Sequence, residues 1–178
     1  IFQPDFVVLS KNVGKSIARA GLLRMVPPST IIGVADDDMS YYPNWFKAPL
    51  EVLNHFPNVG QVSGYPVRQQ MRWGNNNTKA WGRTRAKYET GRFIPEEWDR
   101  DFCTSIGRDY KWHLNYTKTD VDHRITYQEM SVYAVAHHCQ FICEAGKIAP
   151  FTRFDKDAMA DEKPFDNAID AAGFLRLT

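Results

Sequence analysis

Ile31-Ile32-Gly33-Val34-Ala35-Asp36-Asp37-Asp38-Met39-Ser40-Tyr41-Tyr42-Pro43-Asn44-Trp45 is the stretch on which the reading of this chain turns. Five residues of strand length, with no charged or amide side chain among them, run straight into three aspartates. A short apolar run bounded by turn signals predicts a buried strand over 31–35. Neighbouring carboxylates repel one another, and a divalent cation relieves the repulsion. Oxygen ligands suit Mg²⁺ or Mn²⁺, held by one or two carboxylates together with substrate phosphates. An acidic turn or helix N-cap is the plain alternative. Open α/β sheets collect ligands at the carboxyl ends of their strands, which favours the metal reading.

Upstream, Phe6-Val7-Val8-Leu9 has strand length, and Ser10 to Gly14 is a polar turn. Ile17, Ala18, Gly21, Leu22 and Met25 recur at helical spacing, so Lys15 to Met25 reads as a helix that Pro27-Pro28 stops. Strand, helix and strand in succession predict a βαβ unit with a right-handed crossover and a parallel sheet. Downstream, Pro43-Asn44-Trp45 opens a second helix with Phe46, Leu50, Leu53 and Phe56 on one side, ended by Pro57-Asn58. Val59 to Val67 reads as a strand containing Gly64. Arg68 to Arg92 reads as a loop followed by a short helix, and 93–124 as a helical subdomain packed by Trp98, Phe102, Tyr110 and Trp112. Ile125 to Ala136 contains a strand. Gln140 to Lys147 reads as a helix ended by Gly146. Asp161 to Gly173 reads as a helix with Phe165, Ile169 and Ala172 on one face. No repeat or linker interrupts the chain, so the expectation is one α/β domain over 1–178, with a mixed, mostly parallel sheet flanked by helices.

The 178 residues suffice for one sizeable core, and a net charge of +1 gives no footprint for nucleic acid or an anionic membrane. No apolar run reaches membrane-spanning length. The three cysteines, Cys103, Cys139 and Cys143, form no CxxC pair, and their odd number argues for free thiols in a reducing compartment, the cytoplasm. The chain opens on Ile1, so a fragment or processed product is expected. Two sequons, at Asn76 and Asn115, are too short a pattern to carry weight.

The segment 31–38 followed by Pro43-Asn44-Trp45 resembles the DxD region of glycosyltransferase family 2. Asn12-Val13-Gly14-Lys15-Ser16-Ile17-Ala18 is similar to that family's N-x-G-K-x-x-A helix start, and Asn58 to Gly64 to the strand after the DxD helix. The resemblance runs from about Phe6 to Val67 and returns near the C-terminus. It implies a GT-A fold, a Rossmann-like sheet, and transfer of a sugar from a nucleoside diphosphate sugar (a UDP-sugar above all) to a hydroxyl acceptor such as a glycan, lipid or protein, with inversion. It implies Mn²⁺ or Mg²⁺ directly on Asp38, with Asp36 meeting the metal through water or meeting the ribose or sugar, and Asp37 beside the substrate or shaping the turn. It also implies that either part of the N-terminal nucleotide-binding unit is missing or the site is completed by another chain. A binding module that kept the fold without turnover is the alternative.

Gly14-Lys15-Ser16 also invites a P-loop reading, but that motif needs a glycine where Leu9 stands. Lys15 therefore caps the helix region, approaches a phosphate, or is solvated. Inverting transfer needs a general base from a distant part of the chain. Asp161-Glu162, with Phe165-Asp166 and Ile169-Asp170 after it, resembles the family's E-D segment in reversed order. Asp161 is the first candidate and Glu162 the second, against a plain acidic helix N-terminus. His137-His138-Cys139-Gln140 offers metal, phosphate or acceptor contacts, against a satisfied histidine pair; structural zinc lacks a second ligand cluster. Trp73, Trp81 and Trp98 suit sugar stacking or core packing. Arg68 and Arg72 suit a diphosphate or a solvated basic face.

Overall fold

The computed structural model describes residues 14–36, 41–152 and 162–178. Among them the order is α1 (Lys15–Met25), β1 (Ile31–Ala35), α2 (Lys47–His55), β2 (Val59–Val62), α3 (Asn76–Arg85), β3 (Lys87–Gly91), α4 (Glu96–Ser105), α5 (Tyr110–Tyr116), β4 (Asp122–Tyr127), β5 (Met130–Tyr133), β6 (Gln140–Glu144), α6 (Ala145–Ile148), α7 (Lys163–Ala171) and β7 (Leu175–Leu177), with 3-10 turns at Arg68–Arg72 and Ala149–Phe151. The strand expected at Phe6 to Leu9, and with it the βαβ unit, lies outside the described residues, as do Asp37, Asp38 and Asp161. No described helix is long and apolar enough to cross a membrane.

The main sheet has the order β1-β6-β2-β7, and a second sheet has the order β3-β4-β5. The α/β class and the flanking helices agree with the sequence, but a mostly parallel, Rossmann-like sheet does not. β6 runs antiparallel to both β1 and β2, and among the described strands only β2 and β7 are parallel. The difference comes from residues 140–144, expected to be helical. Phe141 and Cys143 face a core with Leu23, Ala145, Ile148 and Ile169, while Ile142 faces the opposite core with Phe56, Val59, Val62 and Leu177. A strand buried on both faces loses its polar–apolar alternation, so its period cannot be told from that of a buried helix segment. Gly146 marks a tight approach rather than a helix end: a Cβ there would stand 2.7 Å from Pro28 Cβ.

β1 also differs from expectation. It ends the described sheet, and its Ile31 is 44% exposed. Trp45, Leu50, Val52 and Leu53, on and just before α2, pack over one face of the sheet; α1, α6 and α7 surround the core on the other. β2 stops at Val62, short of the expected Val67; Pro66, two residues after Gly64, has no N–H for a ladder. The stretch 125–136 holds a hairpin rather than one strand. Gln128 and Glu129 turn it with φ of 45° and 71°, a left-handed pair with no glycine or asparagine to announce it. α7 buries Ile169 as expected, but with Asp166 and Asp170 rather than Ala172. Asp170 caps α3 from outside, accepting from the N–H groups of Asn76 at 2.7 Å, Asn77 at 3.1 Å and Thr78 at 3.3 Å.

Candidate functional site

Asp36 follows the last residue of β1, and its N–H donates to Cys139 O at 2.9 Å, which ties this strand end to the loop entering β6. α1 begins after Gly14, whose φ of 83° suits glycine. That start brings Lys15 Nζ to 2.6 Å from Asp36 Oδ1 and 3.1 Å from Glu162 Oε2. One turn on, Arg19 Nη2 lies 2.7 Å from Glu162 Oε1, with its guanidinium over the rings of Phe141 and Phe165. His138 Nε2 stands 3.3 Å from the same Glu162, and its Nδ1 stands 3.0 Å from Asp166 Oδ2. Asp166 Oδ1 is paired with Arg176 Nη2 at 2.6 Å. Buried Arg176 also donates to Gln61, Gly74 O and Ala136 O, so its charge is compensated and its hydrogens are placed. Gly74 has a φ of +66°, and a Cβ there would stand 2.5 Å from Arg176 Nη1, so only glycine fits.

One line of charge therefore runs Arg176, Asp166, His138, Glu162, Lys15, Asp36. Burial works against the Lys15 ammonium, but its bond to Asp36 and the charge of Glu162 outweigh it and raise its pKa. Burial, reinforced by His138, lowers His137 to about 4, so the ring is neutral at neutral pH. Its Nδ1 accepts from the Cys139 N–H at 3.2 Å; a backbone amide can only donate, so the ring proton sits on Nε2. Burial, with Asp36 beside it, pushes the Cys139 thiol up to about 12.

The donor set separates two kinds of cation. Asp36 and Glu162, from distant segments, put one carboxylate oxygen each on a single ammonium, an oxygen environment that suits Mg²⁺ or Mn²⁺. His137, His138 and Cys139 also bring ligand atoms within 4.8 Å of one another. His138 is held by two carboxylates and His137 Nδ1 accepts from a backbone donor, so a cation bound there would exchange those contacts and displace the Cys139 proton.

Beside Asp36 opens a cavity of about 560 Å³ whose lining includes Tyr41, Trp45, Tyr65, Phe102, His137 and Gln140. Asp36, Lys15, Glu162 and His138 thus come together, with His137 and Gln140 at the adjoining cavity. Arg68 stands elsewhere: its buried guanidinium meets Asp122 Oδ1 at 2.7 Å and is also bonded to Asp99. Arg72 pairs with Asp120. Trp73 lies under Lys163, with the ammonium 5.0 Å from the ring centroid. Trp81 packs against the core and Trp98 against Tyr65. Sequence reasoning missed Arg19, Asp166 and Arg176 as members of the charge line. Their one signal is a charge at an inward helical or strand position, beside Phe165 and Ile169 or between Leu175 and Leu177. Comparison with protein-family models, with curated proteins and with solved structures found no match for this chain.

Proposed function

We propose that the chain is a metal-dependent glycosyltransferase, hexosyltransferase-like, that moves a sugar from a nucleoside diphosphate sugar, a UDP-sugar above all, to a hydroxyl acceptor with inversion. The observation that carries this reading is the convergence of Asp36 and Glu162 on the Lys15 ammonium at the carboxyl end of β1, with an open cavity alongside. Asp36 supplies one oxygen for Mn²⁺ or Mg²⁺, and Asp38, through the family resemblance, supplies the other. When bound, such an ion offsets the charge that develops on the departing diphosphate. Lys15 is within reach of the same charge and exchanges a carboxylate partner for a phosphate oxygen.

In the reaction the acceptor oxygen forms a bond to the anomeric carbon as the bond from that carbon to the β-phosphate oxygen breaks. The electron pair leaves with the nucleoside diphosphate, and the acceptor proton passes to a carboxylate. Glu162 Oε1 already accepts from Arg19 and Oε2 from Lys15, and His138 Nε2 stands 3.3 Å from Oε2. That occupancy favours Asp161 as the base and Glu162 as the group that positions the cations.

Asp36→Asn tests the reading. The unaltered protein is expected to hydrolyse a UDP-sugar in the presence of Mn²⁺, and the variant to lose about a hundredfold or more of that rate, the scale of one transition-state electrostatic contact. Mn²⁺ binding followed by electron paramagnetic resonance should weaken in parallel. If the unaltered protein neither binds Mn²⁺ nor hydrolyses any member of a nucleotide-sugar panel, the reading fails.

A further inference from the structure

The cavity beside Asp36 has walls of one kind and an inner end of another. Tyr41, Tyr42 and Trp45 enter from the segment before α2, Tyr65 from the segment after β2, and Phe102 and Ile106 from α4 and its end. Rings therefore face the space from three segments, not from one platform. Tyr41 and Trp45 form a continuous surface, with centroids 4.6 Å apart and planes tilted by 33°. Two of the phenol oxygens are engaged by the protein: Tyr42 donates to Asp101 Oδ2 at 3.2 Å, and Tyr65 donates to Trp98 O. What those walls offer a ligand is mainly ring face and hydrocarbon, with Asp101, which accepts from Tyr42, and Ser105, which donates to Phe102 O at 2.8 Å, as their polar members.

The inner end carries Asp36, His137, Cys139 and Gln140. Gln140 is 5% exposed, and its Oε1 accepts from Gly64 N at 3.1 Å. The backbone N–H requires an acceptor, so the amide orientation is determined and Nε2 is the free end. That Nε2 is buried and, among the described residues, has no hydrogen-bond partner. A buried donor without a partner is destabilising, and a ligand oxygen relieves it. His137, with its proton on Nε2, adds a second donor at the same end.

We propose that this cavity takes an acceptor whose hydroxyl is carried on a flat aromatic body, a phenol or other aryl alcohol, with its oxygen at Gln140 and His137 and its ring among the aromatic walls. The inference deepens the transferase reading and rests on it for the word acceptor, but the binding site stands on the cavity alone. A pyranose carries more hydroxyls than Asp101 and Ser105 can partner and would set the rest against ring faces, a cost that an aryl body avoids. A cavity of about 560 Å³ is of the size that encloses a small organic ligand.

Isothermal titration of the full chain with 2-naphthol, 1-octanol and methyl β-D-glucopyranoside tests the proposal without requiring turnover. 2-Naphthol is expected to bind about tenfold or more tighter than octanol and about thirtyfold or more tighter than the glucoside, the scale of ring stacking plus unpaired hydroxyls. Ile106→Asp changes a residue that is 49% exposed, so it leaves folding intact, and it should weaken 2-naphthol by about tenfold by putting a charge in the wall. Gln140→Leu removes the orphan donor and should cost a similar factor. Absence of 2-naphthol binding, equal or tighter binding of the glucoside or octanol, or binding that Ile106→Asp leaves unchanged would each overturn the proposal. If 2-naphthol binds as expected while no UDP-sugar is hydrolysed with Mn²⁺, the aryl site stands and the transferase reading falls.

Discussion

Two buried arginines in this molecule sit in nearly the same chemistry and lead to different places. Arg68 is held between Asp122 and Asp99, donates to Ile94 O, and shares Asp122 with the N–H groups of Phe93 and Ile94. That network closes on itself and ties the 3-10 turn at 68–72 to α4 and β4. Arg176 is as buried and as fully bonded, but its partner Asp166 passes the line on through His138 to Glu162, Lys15 and Asp36. The far end is partly exposed, with side-chain accessibilities of 33% for Lys15 and 21% for Asp36. A buried charge by itself therefore says little about function. A closed network is cement; one that ends at a cavity has partners a ligand can replace.

Substitutions should separate the two networks. Arg68→Leu leaves Asp99 and Asp122 buried without their cation and is expected to cost about 3–5 kcal/mol in urea unfolding. Mn²⁺ affinity per folded molecule should stay unchanged; a matching loss of affinity would mean that the two networks are coupled. Acid comes next in size. His137 is held at about 4 against an ordinary 6.5, because burial disfavours its charged form. The unfolded chain therefore takes up the proton first. Stability is full above about pH 6.5, falls as pH drops toward about 4, and loses up to about 3 kcal/mol from this group across that window. Urea midpoints at several pH values check the slope, which His137→Asn should flatten; an unchanged slope would remove His137 from the account. The smallest effect is expected at Asp170→Asn, which weakens a charged cap on α3 beside Arg176, at the end of the charge line remote from Asp36. It should cost about 1 kcal/mol and leave Mn²⁺ binding alone.

Several elements were readable before any coordinates. Lys15–Met25, Ile31–Ala35 and the helix after Trp45 have their expected bounds to within a few residues, because amphipathic spacing and Pro27-Pro28 or Pro57-Asn58 mark them locally. Asp36 and Lys15 were legible as candidates for the same reason: a strand end and a helix start are local features. Glu162 and His138 were candidates with open alternatives, and folding brings both to Lys15 or to each other. The joining of Arg19, Asp166 and Arg176 to this line was not legible, because a charged residue within a periodic segment is ordinarily solvated, and nothing nearby in sequence marks its distant partner. The aromatic cavity escaped for the related reason that its rings come from three separate segments, each of which reads as packing.

The chemistry available to this protein was written in local sequence: an acidic strand end, a lysine at a helix start, carboxylates before the last helix, and two adjacent histidines. Residue type and spacing along one segment suffice for that much. The direction of β6, and with it the antiparallel sheet, depended on which faces of residues 140–144 found a core, and both did. Which carboxylates share a cation, which arginines are sealed and which ring faces remain open are likewise relations between segments far apart in the chain. Long-range packing sets them, and no local period encodes them.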